Sequence, residues 1–283
     1  KKCIEQDFLI MVKKILFITE GKNPDRNLVR SVCKFQNNIQ KNPIIEYEIT
    51  IYSTNIYVLY QDLIKYQFEQ IVDLIREKEG EKFPYSSEDF SLIYLFFDLD
   101  MHHHTPESDF FEIKSQLESM FDTFDDETEN GKLFLSYPMA EANQYFHEKF
   151  ITDQSVSFYT FPIFSPVHFK DVCKSFIRKN GAIQTRMSDS FLIWNYLIHY
   201  TSHILKFLGI DIESTDASID SKEIFINQFN KFINQPTSEV ILLSAFPQYL
   251  LHVYGIQKLL EEDQIKILQE GLTENVISGL DGL

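Results

Sequence analysis

Apolar residues follow two rhythms along this chain, and the first half switches between them four times. "VKKILFIT" (12–19) is a short β-prone run bounded by charge, and "EYEITIYS" (46–53) alternates at the period of a strand. "SLIYLFF" (91–97) is apolar without interruption, as a strand buried on both faces of a parallel sheet should be. "GKLFLS" (131–136) predicts a fourth strand. Between these runs the spacing becomes helical. Leu28, Val29, Val32 and Phe35 recur on one face of 25–39, and "YVLYQDLIKYQFEQIVDLIREKEG" (57–80) predicts one long amphipathic helix stopped by Gly80. A helix is also predicted over 108–124 and another over "MAEANQYFHEKF" (139–150), with the acidic "FDDETENG" (124–131) as a loop. Strand and helix in alternation predict an α/β fold: a mainly parallel four-stranded sheet flanked by helices.

Beyond residue 150 the helical rhythm dominates. "PVHFKDVCKSFIRKNG" predicts a helix ending at Gly181, and "SDSFLIWNYLIHYTSHILKFLG" one capped by Ser188 or Asp189 and closed at Gly209. "DSKEIFINQFNKFIN", "SEVILLSAFPQYLLHVYG" and "EEDQIKILQEGL" continue it, with Pro247 expected to break or kink its helix. The division expected is an α/β part at 1–150 and a mostly helical part at 151–283.

With 283 residues and 44% hydrophobic content the chain can bury a sizeable core. Its net charge of -16 argues against a protein that coats nucleic acid, though not against an enzyme that touches it through a local basic patch and metal ions. The three cysteines (Cys3, Cys33, Cys173) have no paired spacing, which points to a reducing, cytoplasmic setting. No apolar run approaches bilayer length, so no membrane is expected. "KKCIEQDFLIM" is a poor signal peptide, and residues 1–10 read as an optional extension before Met11.

The chemistry gathers where the strands end. In an open parallel sheet the ligand site lies at the carboxyl edge. Glu20 and Gly21 follow the first strand, Asp98 and Asp100 the third, and "SYPMAEA" with Glu141 the fourth. Glycine after Glu20 permits a tight turn; Asp25 stands at the entry of the next helix, where a helix cap is the plainer role. Alternate residues leaving a strand point the same way, so Asp98 and Asp100 can face one ion, and paired oxygens suit Mg²⁺ or Mn²⁺. The run His102–His104 is expected as a flanking surface loop with at most one histidine near a substrate phosphate, since three adjacent residues rarely face one ion. His199 and His203 share a helix face, but Tyr200 stands where a zinc protease needs glutamate; they are expected as helix-face or interface histidines, not ligands.

A basic cluster, Lys170, Lys174, Arg178, Lys179 and Arg186, contains only one acid, Asp171. Lys170, Lys174 and Arg178 share one helix face, which is either a track for a phosphate backbone or an ordinary solvated face. The chain has no GxSxG, no GxxxxGK[ST] and no GxGxxG after a strand, so acyl transfer, a built-in P-loop ATPase and a dinucleotide cofactor lack support.

"ILFITEGKNPDR" followed by "YLFFDLD", with βαβα alternation between them, resembles a Toprim domain over residues 12 to about 150. That family places a glutamate after its first strand and a DxD after a later one. The fuller pattern resembles the Toprim proteins of bacterial phage defence, the RloB-like, PARIS and OLD groups. "EGKNPD" stands in the place of their first motif, with Pro24-Asp25 where Thr-Glu is usual. "LSYPMAEA" stands in the place of a later proline-containing motif, with Tyr137 where Asn is usual. The resemblance implies a Mg²⁺-dependent (or Mn²⁺-dependent) nuclease, with Glu20 as general acid/base or metal-facing carboxylate. Asp98 and Asp100 would hold the metal, and Asp25 and Glu141 would complete or orient its shell. It further implies RNA (tRNA included) or DNA as substrate and a role as toxic effector in abortive infection. A separate ATPase sensor subunit and self-association would accompany it. Two rivals stand beside it: a HAD-like phosphatase, for which position 102 is His where Thr is wanted, and a non-catalytic Toprim module gating assembly with an ATPase.

Overall fold

The structure, a computed structural model, describes residues 14–21, 24–39, 46–99, 101, 110–145, 158–165, 167–180, 191–213 and 219–259. Strand β1 (Lys14–Thr19) carries Leu16, Phe17 and Ile18 with no exposed surface, and it pairs in parallel with both β2 (Tyr47–Ile51) and β3 (Phe90–Asp98). On its other side β3 pairs in parallel with β5 (Gly131–Ser136). The sheet has five strands, not four: Asp125–Asp126 forms β4, antiparallel to β5 at the edge, giving the order β2-β1-β3-β5-β4. The expected acidic loop is therefore a hairpin, whose turn is tied by Asp126 Oδ1 accepting from the Thr128 amide at 2.7 Å.

β2 and β3 lie on opposite sides of β1, so right-handed crossovers send their connecting helices to opposite faces. One layer holds α1 (Pro24–Ile39), the other α2 (Ile56–Lys65), α3 (Ile71–Glu79) and α4 (Phe110–Thr123). The carboxyl ends of β1 and β3 thus flank the topological switch point, where open α/β sheets bind ligands.

The single helix expected over 57–80 is two. A continuous helix would carry Gln67 and Gln70 onto the buried face set by Ile56, Leu59 and Leu63. Instead α2 ends, Gln67 takes a left-handed φ of 55°, and α3 restarts in a new phase that buries Ile71, Val72, Leu74 and Ile75. Residues 139–150 also differ from expectation: a short 3₁₀ turn spans Ala140–Gln144, after the cis Tyr137–Pro138 peptide, and 146–150 lie outside the described residues.

The second half supplies α5 (Phe169–Asn180), α6 (Phe191–Leu208), α7 (Ser221–Gln228) and α8 (Ala245–Leu259). It also holds two short antiparallel strands that the helical reading missed, β6 (Thr160–Pro162) and β7 (Glu239–Ile241). Pro247 neither breaks nor kinks α8, because it occupies the first turn, where its missing N–H has no helical partner to lose. The departure from helical geometry falls at Gly255 (φ 68°). Tyr249 and Phe246 of α8 pack against Phe17, Tyr94, Phe96 and Phe134 on the sheet. Buried hydrogen bonds tie this layer together: Gln36 Nε2 to Tyr249 Oη (2.9 Å) and Trp194 Nε1 to Ser31 Oγ (2.8 Å). Among the described residues, no helix is long and apolar enough to cross a membrane.

Candidate metal centre

The site begins with the backbone leaving β1. The Glu20 amide donates to the Phe96 carbonyl of β3 (3.3 Å), which fixes Glu20 beside the neighbouring strand. Its carboxylate Oε2 then accepts from the Asp98 amide at 3.2 Å. Gly21 follows, and its amide donates to Asp25 Oδ2 at 2.7 Å. A Cβ on residue 21 would lie 2.8 Å from that same oxygen, so the approach of Asp25 requires glycine here. Asp25 thus reaches back from the first turn of α1 to the turn after β1, where the plainer reading had it capping its own helix.

Asp98 ends β3, and its Oδ1 accepts from the Ala140 amide at 2.7 Å. That N–H comes from the segment after β5, so the Tyr137–Glu141 loop aims the carboxylate. The loop is itself pinned: Tyr137 and Leu243 exchange backbone hydrogen bonds (2.7 and 3.0 Å), and the Ala245 amide donates to Ser136 Oγ (3.2 Å). The Leu99 amide reaches the carbonyls of Ser136 (3.0 Å) and Pro138 (3.2 Å) as the chain leaves β3. Glu141, on the 3₁₀ turn, pairs with Lys170 Nζ at 3.4 Å.

Four carboxylates from four segments therefore share one edge with one ammonium. Burial pushes the Asp98 carboxyl well above the ordinary range, and the charges of Glu20, Asp25 and Glu141 push it further; the Ala140 N–H only partly opposes them. Burial also raises Asp25, against the hydrogen bond from Gly21; Glu141 adds to the rise and Lys170 opposes it. Lys170 is raised by Glu141, Asp98 and Asp25 acting against its own desolvation.

The structure thus brings together Glu20, Asp25, Asp98 and Glu141. Asp100 and His102–His104 lie outside the described residues. Among the described residues, no three histidine, cysteine, aspartate or glutamate side chains close into a ready-made cage. The basic strip divides. Lys170 turns toward Glu141, whereas Lys174 pairs with Asp171 (2.9 Å) on the exposed side of α5. Arg178 and Lys179 are on α5, but their side chains, like Arg186, fall outside what is described. No local pattern marks Lys170 as a member of the carboxylate site, or the Ala140 amide as the group that orients Asp98. Comparison with protein-family models, with curated proteins and with solved structures finds no match for this chain.

Proposed function

We propose that this chain is a divalent-metal-dependent nuclease of the Toprim type. It would hydrolyse phosphodiester bonds of RNA (tRNA among the substrates) or DNA, as an effector of antiphage defence working with a separate ATPase subunit. One observation carries the reading: a buried Asp98, crowded by Glu20, Asp25 and Glu141, stands at the switch point of a parallel sheet.

An all-oxygen set with surplus negative charge fits Mg²⁺ or Mn²⁺, which bind a few carboxylates and keep several waters. Asp25, Asp98 and Glu141, with Asp100 two residues beyond Asp98, would hold the ion. When bound, such an ion stabilises the attacking and leaving oxygens and acidifies a water. The chain's own groups do the rest. The Ala140 N–H holds the Asp98 carboxylate in one orientation. Glu20, anchored by the Asp98 amide, is positioned to take or return a proton. Lys170 offers a cation at the rim of a site that would otherwise repel a polyanion.

The test compares expression of the wild-type chain with Glu20→Ala and with the double variant Asp98→Asn/Asp100→Asn, examining total RNA and DNA for breaks. Metal-dependent breaks that vanish in both variants support the proposal. Breaks that persist in either remove these residues from the chemistry. An acid-labile phosphoryl group on Asp98 would replace a nuclease by a phosphatase. Failure to bind Mg²⁺ or Mn²⁺ in calorimetry, with partner binding intact, would leave a binding module.

A further inference from the structure

His199 and His203 of α6 are unused by the carboxylate site. Their Nε2 atoms lie 3.4 Å apart, with the rings nearly perpendicular at 85°. Two Zn–N bonds of about 2.0–2.1 Å at a tetrahedral angle place their nitrogens about 3.3–3.4 Å apart. An octahedral ion with the same bond lengths would want them about 2.8–3.0 Å apart. The separation therefore matches a tetrahedral bite; in the metal-free protein one neutral imidazole donates to the other across it, and an ion would replace that shared proton. We infer that His199 and His203 form a two-imidazole chelate for a borderline-soft divalent ion of the Zn²⁺ class, with solvent in its remaining positions.

Three further observations agree. The pair sits at i,i+4 on an 18-residue helix, a rigid frame that presents both rings on one face. Partial burial holds both imidazoles neutral, His199 down to about 4, and the neutral ring is the ligand form. The cation one turn on, Lys206, also depresses both histidines, but its ammonium is paired with Glu213 at 2.6 Å, which reduces its repulsion of an incoming ion. The missing glutamate at Tyr200 bears on protease chemistry, not on binding. Imidazole nitrogen also separates this site from the carboxylates: Mg²⁺ prefers oxygen, and Zn²⁺, Co²⁺ or Ni²⁺ accept nitrogen. The inference does not depend on the nuclease reading.

The experiment uses the full chain with His102, His103 and His104 replaced by serine, in millimolar Mg²⁺ to occupy the carboxylate edge. Zn²⁺ is titrated against a chromogenic chelator, and Co²⁺ is followed by its visible spectrum. The expected result is one Zn²⁺ equivalent, bound about tenfold or more weakly after His203→Ala. The intense tetrahedral Co²⁺ bands should disappear with that substitution and persist with Asp98→Asn. His203 is the less buried of the pair, so His203→Ala should fold; His199→Gln provides the second arm. Zn²⁺ affinity unchanged in both histidine variants would overturn the inference. So would a Co²⁺ spectrum that follows Asp98→Asn instead.

Discussion

Replacing Asp98 with asparagine should make the metal-free protein more stable while abolishing the proposed cleavage. The side chain is buried and surrounded by three other carboxylates, so its folded-state pKa is raised. Between the unfolded value and that raised value, the folded protein holds a proton that the unfolded chain has released. The stabilising share of this group is therefore complete at pH below about 4 and is lost as the pH rises. Its ordinary pKa is 3.8. At pH 7, roughly three units higher at about 1.4 kcal/mol each, the penalty has a ceiling of about 4 kcal/mol. Asparagine keeps an oxygen to accept from the Ala140 amide and carries no charge, so it should recover about 1–3 kcal/mol of that ceiling. For a chain of this size each kcal/mol moves the melting temperature by about 2–4 °C. Thermal melts of wild type and Asp98→Asn in EDTA, from pH 4.5 to 8, should show a gap that opens with pH in favour of the variant. Added Mg²⁺ should raise only the wild type. A variant that melts at or below wild type at pH 7–8, or a gap indifferent to pH, would refute the claim that this carboxyl is held against its charge.

Three other substitutions test separate parts of the argument. Gly131→Ala forces a side chain onto a φ of 88°, with its Cβ against Leu95 and 2.8 Å from Ile93 Cγ2; denaturant melts should show a loss of about 3 kcal/mol. Glu127→Gln weakens the 2.5 Å contact with His252, which holds the Glu127 carboxyl below its usual range. Urea melts should show a loss of about 1–2 kcal/mol at neutral pH that vanishes as the pH falls through that lowered value, since a depressed carboxyl contributes only while ionised. Gly21→Ala would push Asp25 off the Gly21 amide; the proposed cleavage should drop about tenfold, and melting should fall by no more than the few degrees that one charge-assisted hydrogen bond is worth. A large melting shift with full activity would assign that glycine to folding instead.

How much of this was readable in advance depends on the range of the forces involved. The strands β1, β3 and β5 are continuous apolar runs, and the residues that end them, Glu20 and Asp98, were legible because strand ends in a parallel sheet converge. The break at Gln67 was harder: it turns on whether two glutamines would occupy a buried phase, and the Leu-Ile-rich flanks masked it. β6 and β7 are too short to show a period. Lys170 was visible as a charge, but only the packing of α5 against the turn after β5 shows that it answers Glu141 and does not simply continue the row with Lys174. The Ala140 amide is a backbone group at a position any residue could fill, so composition carries no trace of it.

The cover that α8 lays over the sheet has a consequence for the order in which the molecule is made. Gln36 finds Tyr249 across 213 residues, and Gln248 Nε2 reaches the Leu135 carbonyl across 113. Phe17, Tyr94, Phe96 and Phe134 all leave the ribosome before the helix that shelters them. Throughout that interval one aromatic face of the sheet has no α8 against it, and pairings of such long sequence separation close slowly. The loop that aims Asp98 shares this delay, because Leu243, to which it is tethered, is synthesised long after it. Nascent chains halted short of residue 243 would carry every carboxylate of the site without the strut that sets their geometry.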